Sequence, residues 1–242
     1  MKIEVETHSH TVASSHALST LLELVKRTKE VGMSGICITD HGFALPDSPH
    51  PYYFGAGRII PEEIDGVRVF FGAEANIVDY NGQLDLEEKI LRRLDWIIAS
   101  YHEPCIEPGN EEKVTRGWLN VLENPYVDVM GHSGNPTFPY HYHKVISRAR
   151  ELGKIVEINV NSKKVRRGSF ENCIEIAKTC KALQCPIVVS SDAHIVFQIG
   201  QYGEVLSMLE EISFPQELIL NADADRFFEY MAKRREKLKN LS

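Results

Sequence analysis

Seven short runs rich in apolar and β-branched residues punctuate the chain, at 3–7, 35–39, 67–74, 96–102, 128–132, 155–160 and 187–194. Segments at 19–31, 111–122, 142–152, 169–183 and 202–212 instead carry apolar residues at three- and four-residue spacing, the period of an amphipathic helix, and a further helical pattern begins near Ala224. Strands that alternate with helices specify an α/β fold with a parallel sheet. Local punctuation agrees: Ser19 is placed to cap the first helix and Gly32 to end it, Gly153 closes the helix before the sixth run, and Ser169 after Gly168 is a second N-cap candidate. The stretch 42–57, rich in Pro, Gly and His, has no period, and a loop of that length is usually functional or disordered. No linker, low-complexity tract or charge block divides the chain, so a single domain over 1–242 is expected.

Composition narrows the class. With 242 residues, 43% hydrophobic and 25% charged, the chain is of globular type and long enough for one α/β barrel, which takes about 200–250 residues. A net charge of −7 argues against a general nucleic-acid or membrane-surface binder. The start MKIEVETHSH has neither signal-peptide nor transit-peptide character, which makes a cytoplasmic protein the expectation. Five cysteines without a CxxC pair argue against a disulfide framework and a thiolate zinc site; Cys37 and Cys173 read as small buried hydrophobes. The basic terminus AKRREKLKNLS reads as a solvated helix end that complements the helix dipole.

The ten histidines change the picture more than any percentage does. His8 and His10 follow the first run, Asp40 and His41 end the second, Glu74 the third, His102 the fourth, His132 the fifth, and Asp192 with His194 the seventh. In a parallel barrel the strand C-termini converge on one face, so these residues would share a cleft. One histidine at a strand end means little. Seven, counting His16, with two of them in an HxH that alternation aims to one side, point to a polymetal site. Imidazole and carboxylate without thiolate suit zinc, manganese or iron, and the ligands outnumber what one ion uses.

The motifs ETHSHT at 6–11, ITDHG at 38–42, GAEAN at 72–76, HEP at 102–104, GHSGNP at 131–136 and SDAH at 191–194 resemble the PHP (polymerase and histidinol phosphatase) family. With TVASSHA at 11–17 and RGSFENC at 167–173, the similarity is greatest to stand-alone bacterial PHP phosphatases of the YcdX type. The resemblance implies a distorted (β/α)7 barrel, TIM-barrel-like, holding three divalent ions per chain, zinc foremost with manganese or iron as alternatives. It implies His8, His10, Glu74 and Asp192 around one ion, His16, His41 and His194 around a second, and Glu74, His102 and His132 around a third, with Glu74 bridging. Glu6 stands where the family usually has Asp, and Ser133 where Pro often follows the histidine. Neither is a ligand position.

The expected reaction is hydrolysis of a small phosphate monoester by a metal-held hydroxide, since clustered ions lower the pKa of bound water toward about 7. Glu74 and Asp192 carry that chemistry, and three ions against their two charges leave the cleft near about +4, attractive to phosphate in an acidic protein. Asp40, beside His41, is a candidate for orienting an imidazole or simply a turn residue. Arg167, with the amides around Ser169 at a helix start, is a candidate phosphate grip; Arg58 is a weaker one, and His50 a candidate lid residue. His141 and His143 repeat the HxH spacing without a strand end to aim them. A phosphodiesterase or nuclease, a histidinol-phosphate phosphatase, and a metal-stabilised scaffold are the rival readings. The expected partner is a small phosphorylated substrate, with no stable nucleic acid and no membrane, and a homo-oligomer is compatible with the family.

Overall fold

A computed structural model describes residues 1–239. The strands are β1 Val5–Glu6, β2 Gly35–Ile38, β3 Glu63–Ile64, β4 Val67–Phe71, β5 Ala73–Asn76, β6 Ile97–Ser100, β7 Val129–Met130, β8 Ile155–Asn159 and β9 Ile187–Ser190. Between and after them run α1 Leu21–Glu30, α2 Tyr53–Ala56, α3 Glu88–Leu91, α4 Glu111–Leu122, α5 Tyr142–Glu151, α6 Ser162–Val165, α7 Ser169–Leu183, α8 Gly203–Glu211 and α9 Ala224–Lys239. The fold is α/β. One sheet has the order β1-β2-β4-β3 and the other β5-β6-β7-β8-β9, with every pairing parallel except β3 against β4.

The third predicted run is one chain path that changes partner. Gly72 N donates to Ile38 O on one side, and Ala73 N to Trp96 O on the other. A Cβ at Gly72 would lie 2.1 Å from Trp96 O, so only glycine lets the path cross between sheets. Isolated bridges His41↔Glu74 and Ser9↔Ala193 connect the sheets, giving the seven-position order of a distorted barrel. At the β1/β9 seam the Asn221 carboxamide stands in for ladder bonds, donating to Val5 O and Val189 O and accepting from Val189 N. β3 was not expected: a two-residue antiparallel edge with an exposed Glu carries no periodic signal.

The core has two parts. A large outer layer packs the strands against α1, α4, α5, α7 and α8. Inside the barrel, Val5, Cys37, Phe70, Trp96, Ile98, Val129, Ile155 and Val188 meet Leu220, Ala224, Phe227 and Met231, so α9 plugs the N-terminal end of the strands. Arg234 fastens the plug: its Nε donates to Asp128 Oδ1 at 2.6 Å, and its two amino groups donate to Leu94 O and Tyr126 O, each at 3.0 Å. The basic run thus does more than complement a dipole, and its last residues, 240–242, lie outside the described residues.

Two caps differ from expectation. Thr20, not Ser19, caps α1, in a reciprocal pair with Glu23, while Ser19 Oγ accepts from Val196 N. Gly168, at φ +83°, is the N-cap of α7, and Ser169 is its first residue. The 42–57 loop contains the single turn α2. All five cysteines are free, and Cys37 and Cys173 are buried.

Candidate metal centre

The strand C-terminal ends carry the histidines into one place. Glu74, on β5, is at its centre and divides its neighbours between two oxygens. Oε2 faces His41 Nδ1 at 2.8 Å, His8 Nε2 at 3.4 Å and His10 Nε2 at 3.6 Å; Oε1 faces His132 Nε2 at 2.8 Å and His102 Nε2 at 3.4 Å. Asp192 Oδ1 lies 3.2 Å from His10 Nε2 and 3.6 Å from both His8 Nε2 and His194 Nδ1. Three triads bring their ligand atoms within 4.8 Å: His8, His10 and Glu74; His10, His41 and His194; His41, Glu74 and His102. His16 lies tilted against His194 and stacks on His41, with ring centroids at 4.4 and 5.1 Å, while its Nδ1 turns to Asp47. Eight of the nine expected ligands therefore face one another directly, and His16 borders them.

These residues fit divalent ions. His8 Nε2, His10 Nδ1 and His41 Nε2 are buried without a hydrogen-bond partner. Leaving such groups unmatched costs about 1–3 kcal/mol each, a cost that electron-pair donation to a cation removes. Backbone geometry tells the same story. His132 and Asp192 hold φ of +24° and +52°, a region that non-glycine residues populate sparsely, and both lie among the candidate ligands.

Electrostatics follow from burial and crowding. Burial pulls the His8 imidazolium down, yet Glu157, Asp192 and Glu74 outweigh it and hold its pKa well above the ordinary range. Burial pushes Glu74 up, but His102, His8 and His41 drive it well below the usual carboxylate range. His10 has no such surplus of carboxylates, and burial with His41, His194 and His8 nearby depresses it strongly. Burial and the Arg166 charge bring His132 to about 4, leaving its imidazole neutral and free to donate a lone pair at ordinary pH.

A shell of partners aims the candidate ligands, and much of it escaped the sequence. Glu157 Oε1 accepts from His8 Nδ1 at 2.6 Å, and Asn76 Oδ1 faces His102 Nδ1 at 2.6 Å. Glu6 accepts from His8 N, Ser191 N, Ser191 Oγ and Tyr202 OH, tying the HxH segment to the SDAH segment. Ser133 Oγ accepts from Tyr140 OH. Asp40 touches no imidazole: it accepts from Thr11 N and Oγ1, Ser14 N and Oγ, and Tyr53 OH, and so fastens the 11–14 loop beside His16.

The basic segment resolves into two arginines with different surroundings. Arg166, with side-chain exposure of 18%, brings one amino nitrogen to 3.9 Å from Asp192 Oδ2, and that nitrogen is buried without a hydrogen bond. Arg167 is exposed, and Ser169 is buried with its Oγ unpartnered. Arg58 lines a separate depression of about 590 Å³ with Arg93, Asp95 and Arg235. His50 accepts from Tyr52 N within its own turn and is exposed. His141 is exposed at the start of α5, 3.5 Å from Glu111.

Comparison with known proteins places this geometry in a family. The model of the PHP domain matches residues 6–162. A protein of Acetivibrio thermocellus named "Probable phosphatase" is 46% identical over 239 residues, covering 99% of each chain. Another of that name, from Caldanaerobacter subterraneus subsp. tengcongensis, is 44% identical, covering 98% of this chain and 94% of its own. This chain belongs to the PHP family. The crystal structure of histidinol phosphate phosphatase from Lactococcus lactis subsp. lactis Il1403, complexed with zinc, L-histidinol and phosphate, shares the fold. Its TM-score is 0.64 at 17% identity, over 88% of this chain and 94% of that one.

Proposed function

We propose that the chain is a phosphatase that hydrolyses a small phosphate monoester at a centre of three divalent ions, zinc foremost. The hydrolase class rests on the full-length relatives named as phosphatases. The trinuclear reading rests on one observation: the two oxygens of Glu74 face two separate sets of histidines, the arrangement of a bridging carboxylate. His8, His10, Glu74 and Asp192 would hold one ion, His16, His41 and His194 a second, and Glu74, His102 and His132 a third. When bound, the ions supply charge neutralisation at the phosphoryl oxygens and acidify water.

The remaining steps belong to side chains. Arg166, ion-paired with Asp192 but with the amino nitrogen that faces it free of hydrogen bonds, takes a phosphoryl oxygen, the task first assigned by sequence to Arg167. Glu6 and Asp40 hold the loops that carry His8, His10 and His16 in register, so the ligands meet substrate without rearrangement. The matched span ends at 162, yet β9, which leads into Asp192 and His194, pairs along β8; the whole chain is read as one domain. Among the described residues no helix is long and apolar enough to cross a membrane. Free cysteines accord with a reducing cytoplasm.

Elemental analysis of chelator-free protein beside p-nitrophenyl phosphate hydrolysis, with and without added zinc or manganese, tests the proposal. Two to three ions per chain with metal-dependent hydrolysis support it. One ion or none, with no activity after reconstitution, overturns it.

A further inference from the structure

Strand β8 is buried along its whole length, and period-two alternation puts Glu157 and Asn159 on one face of it. A carboxylate there is costly unless each oxygen is matched. Both are. Oε1 accepts from His8 Nδ1 at 2.6 Å and from Ser190 Oγ at 2.5 Å; Oε2 accepts from His132 N at 2.5 Å and from Asn159 Nδ2 at 3.2 Å. His8 and His132 lie on opposite sides of Glu74, one toward each of its oxygens.

We infer that Glu157 is a positioning residue for the metal centre, fixing the ring tautomer of His8 and the backbone of His132 with the two oxygens of one carboxylate. The inference rests on the metal-centre reading above. By accepting from Nδ1, Glu157 leaves the lone pair of His8 on Nε2, the buried nitrogen without a partner that faces Glu74 and Asp192. By accepting from His132 N, it holds that residue at φ +24°, the conformation in which Nε2 reaches Glu74 Oε1 at 2.8 Å. Glutamine cannot replace it. In one orientation the carboxamide NH2 of Gln at 157 would oppose His132 N–H and the Asn159 amide; in the other it could donate to Ser190 Oγ and to His8 Nδ1, but only with the His8 proton moved to Nε2, which takes the lone pair off the nitrogen that faces Glu74 and Asp192.

The test uses full-length, metal-loaded protein. Glu157→Gln is expected to lower resistance to chelation about 10- to 100-fold in a competition titration. It is also expected to alter the visible spectrum of the cobalt-substituted centre while circular dichroism stays unchanged. Unchanged chelator resistance and spectrum overturn the inference, even if melting falls, because that pattern belongs to a purely structural carboxylate. Should the variant not fold, histidine-labelled nitrogen NMR of the wild type decides, with His8→Ala as the assignment control: an Nδ1–H tautomer at His8 supports the inference, and an Nε2–H tautomer overturns it. Zinc binding without phosphatase activity would sink the proposed function alone, leaving these readouts intact.

Discussion

At the N-terminal end of the strands, Trp96, Phe70 and Val129 pack on Phe227 and Met231, and the buried Arg234 has its Nε and both amino groups answered by Asp128 and two carbonyls. At the C-terminal end the same strands deliver imidazoles and carboxylates whose nitrogens lack partners and whose backbone at His132 and Asp192 is strained. The first end is satisfied apart from the Nε atoms of Arg68 and Arg226, and the second is not. The contrast divides labour: apolar burial and a fastened helix supply the stability that lets the other end keep unsatisfied groups in place.

The division is broken most severely by attacking the unsatisfied end. Glu74→Gln should remove at least about a thousandfold of the phosphatase activity, about 4 kcal/mol of barrier, together with bound metal, while circular dichroism shows a folded chain. Steady-state kinetics with elemental analysis checks it, and an active, metal-replete Glu74→Gln would break the comparison. The satisfied end should respond in the opposite currency. Phe227→Ala should cost about 3–5 kcal/mol in denaturant unfolding and leave kcat of the folded, metal-loaded enzyme within about twofold.

A smaller effect sharpens the contrast within the site. Arg166→Ala should lower kcat/KM roughly 10- to 150-fold, matching about 1.5–3 kcal/mol for a charged hydrogen bond, with metal content intact. Arg167→Ala should change it by less than about threefold. The smallest expected effect returns to the satisfied end. Lys154, whose ammonium donates to Asn124 O and Val127 O, is 5% exposed, and burial brings its pKa down to about 8 from 10.5. Between those values the unfolded chain holds the proton and the folded chain does not, so stability should climb as pH rises through the window, on the order of 1–2 kcal/mol. Lys154→Met should flatten that slope relative to wild type in denaturant titrations across the same range.

Much of this was legible before any coordinates. Helices at 111–122 and 169–183 match α4 and α7 in both bounds, because their apolar period is unbroken. The gathering of the candidate ligands in one cleft followed from strand ends, and their division among three ions only from the family resemblance. What escaped lies where local pattern carries no direction. Glu157 sits inside the apolar run IVEINV, and nothing in its neighbours along the chain reveals that His8 and His132 arrive from 149 and 25 residues away. Arg166 and Arg167 are adjacent letters; the single turn α6 and the left-handed Gly168 decide which of them turns inward, and neither has a periodic signature. Ser19 and Thr20 were confused for a related reason, since two adjacent hydroxyls compete for one cap and Glu23 settles the matter in favour of Thr20.

The Asn221 carboxamide has a consequence for how the molecule breathes. Along the line between β1 and β9 the barrel lacks a continuous ladder, leaving a slit laced at its lower end by this side chain and at its upper end by the Ser9↔Ala193 bridge. His8 and His10 lie beyond one lip of that slit, and Asp192 and His194 beyond the other. An ion held by His10 and Asp192 would reinforce the upper lace. Without that ion the slit should open earlier, and amide exchange with heavy water would record it as faster loss of protection along 5–9 and 187–193, spreading inward from the top.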